Sequence, residues 1–297
     1  MISIIIVNFY SEKLVKKCIE SIYRNKTPFE IEVIIVDNGS NTNILDSLVS
    51  QNIKILKNEI NRGFAAACNM GASSAEYELL LFLNPDTRLY DDTLKSAVEL
   101  FKDNSDIDVL GCKQINEFNE VHRSCARYMT LSRYFNKLFG LNKLFPKVFK
   151  TYHMHDWDHL TSRYVDHVIG AFYLLSSANF KLVGGFDEDY FVYYEDLDLS
   201  RKITNKGGKI FYSSEIEIFH QGGGASQQFM ARRLFYSLDS VLTYGSKHFT
   251  KFNFFILRGV VLYVEPVIRI TAAFCFLHFK KVKEIKHAYN MLYEKRL

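Results

Sequence analysis

Residues 79–83 read LLLFL, an unbroken apolar run, and it stops at Asn84-Pro85-Asp86-Thr87. Such a run predicts a strand buried on both faces. Pro85 cannot donate to a sheet ladder, so the strand has to end there. The first charged group beyond its carboxyl end is the Asp86 carboxylate. Open α/β sheets bind ligands outside the carboxyl ends of their strands. A carboxylate in that place either holds a divalent cation against a phosphate-bearing ligand or, on the plainer reading, opens a turn into the next helix.

The residues before this stretch alternate strand and helix. Residues 2–7 form a strand, and Ser11 is placed to cap a helix over 12–24 whose apolar face is Leu14, Cys18, Ile19 and Ile22. A second buried strand spans 31–36 and a short helix lies near 44–49. A third strand spans 53–56, and a helix lined with small residues covers 63–75. This βαβαβ order implies a parallel sheet of the nucleotide-binding type. A helix over 92–102 and a strand over 108–112 extend it. Further on, the pattern predicts one strand over 165–177, a turn at 184–188 and a helix from Tyr194 to about Gly207. Two short strands at 209–212 and 216–219 precede a flexible loop at 220–226 and a helix over 227–244.

Two segments carry a different composition. Between residues 113 and 164 the chain is aromatic and basic: Arg123, Arg127, Tyr128, Arg133, Tyr134, Lys137, Lys143, Lys147, Lys150, Tyr152 and Trp157. It reads as an insertion over one mouth of the sheet, either contacting substrate or forming a solvated loop. Residues 252–279 are apolar but interrupted by Arg258, Glu265-Pro266 and Arg269, so they fall short of a membrane span. Lys280, Lys281, Lys283 and Lys286 follow. That tail either rests on an anionic membrane surface or packs on the domain with a solvated basic end.

Composition removes several classes. The 297 residues are 48% apolar and carry a net charge of +4. That is enough apolar material for a large core, without the concentrated basic face of a nucleic-acid binder. The five cysteines are odd in number and none form C-x-x-C, which argues against a disulfide framework or zinc cluster and for a cytoplasmic setting. Residues 1–7 lack a basic leader and read as a first strand rather than a signal peptide.

Four polar clusters follow predicted strands or open helices: Asp37-Asn38-Gly39-Ser40, Asn84-Pro85-Asp86-Thr87, Glu195-Asp196 and His220. Asp37 stands where a dinucleotide fold places an acid on a ribose, and is equally suited to an Asx turn. Glu195-Asp196 follow Phe191, Tyr193 and Tyr194. Rings beside a carboxylate raise its pKa towards the range of a general base, while acids at a helix start also simply cap it. His220 precedes three glycines and suits a metal ligand, a phosphate donor or a structural role.

Taken in order, the segments 3–10 (SIIIVNFY), 36–40 (VDNGS), 61–71 (NRGFAAACNMG), 83–87 (LNPDT), 184–188 (GGFDE), 193–199 (YYEDLDL) and 220–223 (HQGG) resemble the inverting glycosyltransferases of family two. The combination is most similar to the rhamnosyltransferase-like branch. The resemblance covers roughly residues 1–244. It implies a GT-A fold: an α/β, Rossmann-like nucleotide-binding half with a mixed central sheet, plus C-terminal helices. The implied division is a catalytic domain over 1–226, with 113–164 as an acceptor-side insertion, and a helical region over 227–297.

The implied activity is transfer of rhamnose from dTDP-rhamnose to a saccharide or lipid-linked acceptor in bacterial surface polysaccharide synthesis. A UDP-hexose, UDP-galactofuranose or UDP-N-acetylhexosamine is the alternative donor. A nucleotide-sugar-binding protein without turnover is the alternative of another class. A dinucleotide oxidoreductase is disfavoured, because Asn8-Phe9-Tyr10 stands where G-x-G-x-x-G belongs. By the resemblance, Asn8, Phe9, Tyr10 and Asp37 hold the nucleoside, and Arg62, Gly63 and Asn69 shape its pocket. Asp86, with Asn84 in place of the first acid of a D-x-D motif, binds Mg²⁺ or Mn²⁺ together with His220. Asp196 is the catalytic base, with Glu195 beside it. Arg201, Arg232 and Trp157 are candidates for acceptor or phosphate contacts.

Overall fold

The computed structural model describes residues 1–40, 45–50, 52–145, 148–222 and 230–297. Strands β1 (Ile2–Asn8), β2 (Ile31–Asn38), β3 (Ile53–Asn58) and β4 (Leu79–Leu83) lie parallel in the order β3-β2-β1-β4. The apolar runs of β1, β2 and β4 are buried on both faces, as a parallel sheet covered by helices requires, while the edge strand β3 is only partly buried. Ile2, Ile4 and Ile6 pack under α1 (Glu12–Arg24), while Ile5 and Val7 pack under α2 (Phe64–Ser73). Two local expectations change. The buried stripe of α1 uses Val15 where Leu14 was expected. Ser11 does not cap α1 with its side chain; its hydroxyl donates to Asn8 Oδ1 at 2.9 Å.

Pro85 ends β4 as expected. The turn that follows is closed by Thr87, whose N–H and hydroxyl both donate to Asn84 O, at 3.2 and 2.7 Å. It leads first into a short strand, β5 (Thr87–Leu89), and only then into α3 (Thr93–Asp103). Residues 46–48 form a single 3₁₀ turn where a helix near 44–49 was expected. Residue 44 itself lies outside the described residues.

Beyond α3 the sheet becomes mixed. After β6 (Val109–Ile115) come short strands β7 (Val121–His122) and β8 (Cys125–Ala126), and helices α4 (Leu131–Leu138) and α5 (Leu141–Leu144). The single strand expected over 165–177 is three pieces: β9 (Arg163–Val165), β10 (His167–Val168) and β11 (Phe172–Ser176). The chain turns at Gly170, so β11 enters antiparallel between β4 and β6. After α6 (Ser177–Leu182) and α7 (Glu195–Asn205), β12 (Ile210–His220) is one strand where two were expected. An irregularity between Ser213 and Glu217 lets it pair along all of β6. The main path is β3-β2-β1-β4-β11-β6-β12-β5.

The C-terminal helices are α8 (Met230–His248), α9 (Lys251–Gly259), α10 (Glu265–Cys275) and α11 (Phe279–Arg296), with a π turn at Val260–Val264. The start of the helix expected at 227 lies outside the described residues. Leu238, Leu242, Leu257 and Val261 share one apolar cluster with Tyr134 of α4 and with Tyr190 and Leu197 beside and within α7. Buried Asp239 accepts from Lys295 at 2.8 Å and Arg296 at 2.6 Å, clamping α11 to α8. Part of the 113–164 segment is therefore packed and ordered. Its Trp157 ring stacks on His159 at 4.1 Å and meets Tyr212 edge-on at 5.2 Å.

His159 is fully buried, accepts from Cys125 N–H through Nε2, and has Nδ1 on Trp157 O. Burial lowers its pKa to about 4. The unfolded chain therefore binds this proton more tightly than the native one, and stability falls as pH drops from about 6.5 towards 4. Trp157 is the sole tryptophan. Thermal unfolding followed by its fluorescence is expected to show a falling Tm across that window. His159→Asn should flatten the slope.

Candidate active site

The carboxyl ends of β1 and β2 are joined by a saturated polar network. Asn8 is fully buried. Its Nδ2 donates to Asp37 Oδ1 at 2.9 Å and Ser40 Oγ at 3.1 Å, and its Oδ1 accepts from Ser11 N–H and Oγ. All of its capacity is used inside the protein. Asn8 therefore holds Asp37 in place, a correction to its expected direct contact with a nucleoside. Tyr10, in contrast, is exposed beside half-buried Phe9, the two rings 4.7 Å apart and edge-on. Tyr10 is held at φ 51°, with its N–H on Ser40 Oγ at 2.9 Å. An aromatic pair offered to solvent at a strand end has the form of a surface on which a planar ring can stack.

Asn38 ties the neighbouring loop down. Its Nδ2 donates to Asn61 Oδ1 and Gly63 O, and its Oδ1 accepts from Asn58 Nδ2 and Arg62 N–H, all within 2.9–3.1 Å. Gly63 sits at φ 90°, and a Cβ there would lie 2.6 Å from Phe191 O. Only glycine meets both demands. Arg62 is exposed, and its backbone N–H is the group that ties it to Asn38. Asn69 is spent on a tether: it bonds Phe186 O and N–H and Glu188 Oε1. It shapes the region by fixing α2 to the 184–188 turn and has no bond to spare on that amide nitrogen.

Asp86 and His220 meet between β5 and β12. His220 Nε2 lies 3.3 Å from Asp86 Oδ1, and His220 Nδ1 lies 2.7 Å from Gln114 Oε1. With Gln114 Oε1 accepting the Nδ1 proton, Nε2 presents a lone pair towards the carboxylate. Two electron-pair donors facing one another suit a divalent cation whose other ligands are phosphate oxygens and water. No third acidic, histidine or cysteine ligand joins them among the described residues. Asn84 sits at the same strand end, half-buried, with its N–H on Ala171 O at 3.1 Å. Gly222 is described, while Gly223 and Gly224 lie outside the described residues.

The start of α7 is built on strained backbone. Tyr193 and Tyr194 are both left-handed, with φ of 71° and 68°. Such conformations cost non-glycine residues on the order of 1–3 kcal/mol each. They bring the chain into α7, where Glu195 and Asp196, as consecutive helical residues, point about 100° apart around the axis. Glu195 is buried, one of its oxygens lacks a hydrogen-bond partner among the described residues, and burial with the adjacent Asp196 charge raises its pKa far above the usual carboxylate range. Asp196 stays partly exposed. Its Oδ2 accepts from Gly170 N–H and its Oδ1 from Leu197 N–H, both at 2.8 Å. Behind it, buried His167 places Nε2 3.7 Å from Asp196 Oδ2, while Nδ1 meets Ser200 Oγ at 2.8 Å, which meets Tyr173 OH at 3.0 Å. The third acid of the motif, Asp198, is turned inward to His248 of α8 at 2.6 Å.

These pieces converge on one turn. Asn84, two residues before Asp86, donates to Ala171 O, and the adjacent Gly170 N–H donates to Asp196. The nucleoside-side loop joins them through Phe64 N–H on Phe191 O at 2.6 Å. Arg201 and Trp157 are not gathered there. Arg201 donates to Tyr244 OH at 2.9 Å and lies over the Tyr128 and Tyr244 rings. Trp157 is engaged by His159, Tyr212, Arg163 and Thr161. Both are packing residues. Arg232 is exposed in the first turn of α8, near Tyr236, which stacks on Phe191 at 4.5 Å. Gln114, His167 and the bridging role of Asn38 escaped sequence reasoning. Each lies in an ordinary strand or loop context, and only the neighbour it meets gives it a role.

Comparison with known proteins bears on the family and the fold. The family described as Glycosyl transferase family 2 matches residues 3–167, which includes Asp37 and Asp86 and ends before Asp196. The chain is 25% identical to Rhamnosyltransferase WbbL of Escherichia coli (strain K12) over 82% of its own length and 92% of that protein's. It is 28% identical to poly-beta-1,6-N-acetyl-D-glucosamine synthase of Staphylococcus epidermidis over 49% of its length, spanning 39% of that protein. Its fold is similar to that of a mannosyltransferase from Pyrobaculum calidifontis solved with GDP-Man and Mn²⁺, with a TM-score of 0.59 at 13% identity, covering all of this chain and 88% of the other.

Replacing Gly63 by Ala forces a Cβ against Phe191 O at a left-handed backbone position. Urea denaturation is expected to show a loss of about 1–3 kcal/mol.

Proposed function

We propose that this chain, which belongs to glycosyl transferase family 2, transfers rhamnose from dTDP-rhamnose to a hydroxyl of a saccharide or lipid-linked acceptor, with inversion at the anomeric carbon. The reading is carried by one observation: Asp196 hangs from the Gly170-Ala171 turn that also fixes the strand end bearing Asp86. The similarity to Rhamnosyltransferase WbbL supports the choice of sugar and a place in surface polysaccharide synthesis. The similarity to poly-beta-1,6-N-acetyl-D-glucosamine synthase supports a second reading, with a UDP-N-acetylhexosamine donor.

In this mechanism Asp196 accepts the proton of the acceptor hydroxyl while that oxygen bonds to the anomeric carbon. The bond from that carbon to the diphosphate breaks, and its electron pair leaves with the phosphate oxygen. Two backbone N–H donors hold the Asp196 carboxylate in position, and His167 backs it. Glu195 stays inside, where burial and the adjacent Asp196 charge disfavour its ionised form. Phe9 and Tyr10 stack on the base, and Asp37, set by Asn8, receives ribose hydroxyls. Arg62 lies on the nucleotide side. Asp86 and His220 are the residues that would hold a divalent cation, which when bound supplies positive charge to the departing diphosphate.

Asp196→Asn keeps the size of the side chain and removes the base. Turnover is expected to fall by roughly 100-fold or more, while donor affinity changes little; wild-type turnover in this variant would remove Asp196 from the mechanism. Asp86→Ala should abolish the Mn²⁺ dependence of nucleotide binding measured by calorimetry. A screen of nucleotide sugars for donor hydrolysis decides between the two donors: release of dTDP from dTDP-rhamnose supports the first, and release of UDP from UDP-N-acetylhexosamine alone the second.

A further inference from the structure

The C-terminal helices bury one side and leave the other bare. Leu257, Val261, Leu262 and Ala273 enter the apolar cluster shared with α4, α7 and α8. On the outward side, Phe252, Phe255, Tyr263, Val267 and Phe274 are all exposed. They recur at helical spacing, with the π turn at Val260–Val264 supplying the extra residue that keeps the row aligned. Phe276 and Leu277, each 73% exposed, continue the row around the turn into α11. Leu277 is held there at φ 56°, so the turn presents its side chain by a strained backbone. Exposure of this many large apolar side chains along one surface marks an interaction face.

Charge says what that face meets. Residues 251–283 hold six Lys and Arg against one acid, Glu265, a net +5 where the whole chain is +4. Glu265 is buried, bonded to Tyr134 and paired with Arg269, so it offers no negative charge outward. Lys280, Lys281 and Lys283 lie at the start of α11, directly after Phe279, whose ring meets Phe274 edge-on at 5.6 Å. A second copy on a two-fold axis would set this face against itself and bring like charges together. No described helix is long and apolar enough to cross a membrane. Apolar side chains flanked by unopposed lysines suit the plane of an anionic bilayer, with rings entering the acyl boundary and ammonium groups at the headgroups.

We propose that the outward face of α9, α10 and the start of α11 docks on an anionic lipid surface. The inner face of the same helices packs against Tyr190, Tyr194 and Leu197, at the entrance to the helix that carries Asp196. Docking therefore sets the acceptor side of the site at a fixed orientation to the bilayer.

The test is flotation of the full-length protein with vesicles of phosphatidylcholine alone or mixed with phosphatidylglycerol. It needs neither donor nor turnover, so its outcome is independent of the transferase reading. Binding is expected to the mixed vesicles only and to weaken with added salt. The triple change Lys280→Gln, Lys281→Gln, Lys283→Gln should weaken it by roughly 100-fold. The triple change Phe255→Ser, Phe276→Ser, Leu277→Ser should weaken it by about tenfold or more. Thermal unfolding checks that both variants fold. Absence of flotation with the mixed vesicles, or flotation unchanged in both variants, overturns the proposal. So does lipid-free dimerisation, seen by analytical ultracentrifugation and abolished by the serine changes, because it assigns the face to a second copy.

Discussion

Two hydrogen bonds made by the backbone of neighbouring peptides, one to the Asn84 backbone and one to the Asp196 carboxylate, hold the site together. Ala171 O accepts from Asn84 at the end of β4, and Gly170 N–H donates to Asp196 at the start of α7. Residues 84 and 196 are more than a hundred positions apart in the chain, yet one turn indexes both. The turn exists because β11 reverses direction into a sheet whose first four strands are parallel. Backbone groups make a rigid reference, since neither can rotate away as a side chain can. The positions of Asp86 and Asp196, the carboxylates to which the proposed function gives a cation and a proton, therefore follow from sheet geometry rather than from two flexible loops.

Around that turn the protein places its polar side chains at two levels. Asn8, Asn38 and Asn69 have their bonding capacity occupied by other protein groups, and Gln114 Oε1 is held by His220. Burying such amides without partners would cost roughly 1–3 kcal/mol apiece, so each is paired. Phe9, Tyr10, Arg62 and part of Asp196 remain open to solvent. The first set supports and the second set is offered. Strained backbone recurs at the offered end, at Tyr10, Tyr193 and Tyr194. The surrounding sheet and the α7–α8 contact through Asp198 and His248 absorb it. The family to which the chain belongs accounts for the presence of the site, and this division accounts for how this particular sequence supports it.

The 113–164 segment and the C-terminal helices form a second body of packing. Tyr134, Tyr190, Tyr194 and Leu197 meet the inner faces of α8, α9 and α10. Helix α7 therefore has the sheet on one side and this cluster on the other. A change in how the helices sit would be felt first at Tyr194, the residue that precedes the two acids.

Much of the fold was legible in the residues. Apolar runs closed by proline, glycine or acid mark β1, β2 and β4, and the helical stripe of α1 is visible to within one residue, because burial on both faces leaves few compatible side chains. The acids at the strand ends were legible for the same reason: a carboxylate directly after a buried strand can only face the sheet's rim. What the sequence could not decide was partnership. Asn8 and Asp37 looked alike as ligand groups, and packing made the first a support for the second. Glu195 and Asp196 are adjacent in the chain, and the packing of α7 put one side chain inward and left the other, about 100° round the helix, partly exposed. Arg201 and Trp157 had suitable chemistry but spend it on Tyr244 and His159. Local pattern determines which elements form, because periodicity and φ preferences act over a few residues. Hydrogen-bond satisfaction acts between segments far apart in the chain, and only the folded arrangement of the strands decided which polar groups were consumed and which were left to act.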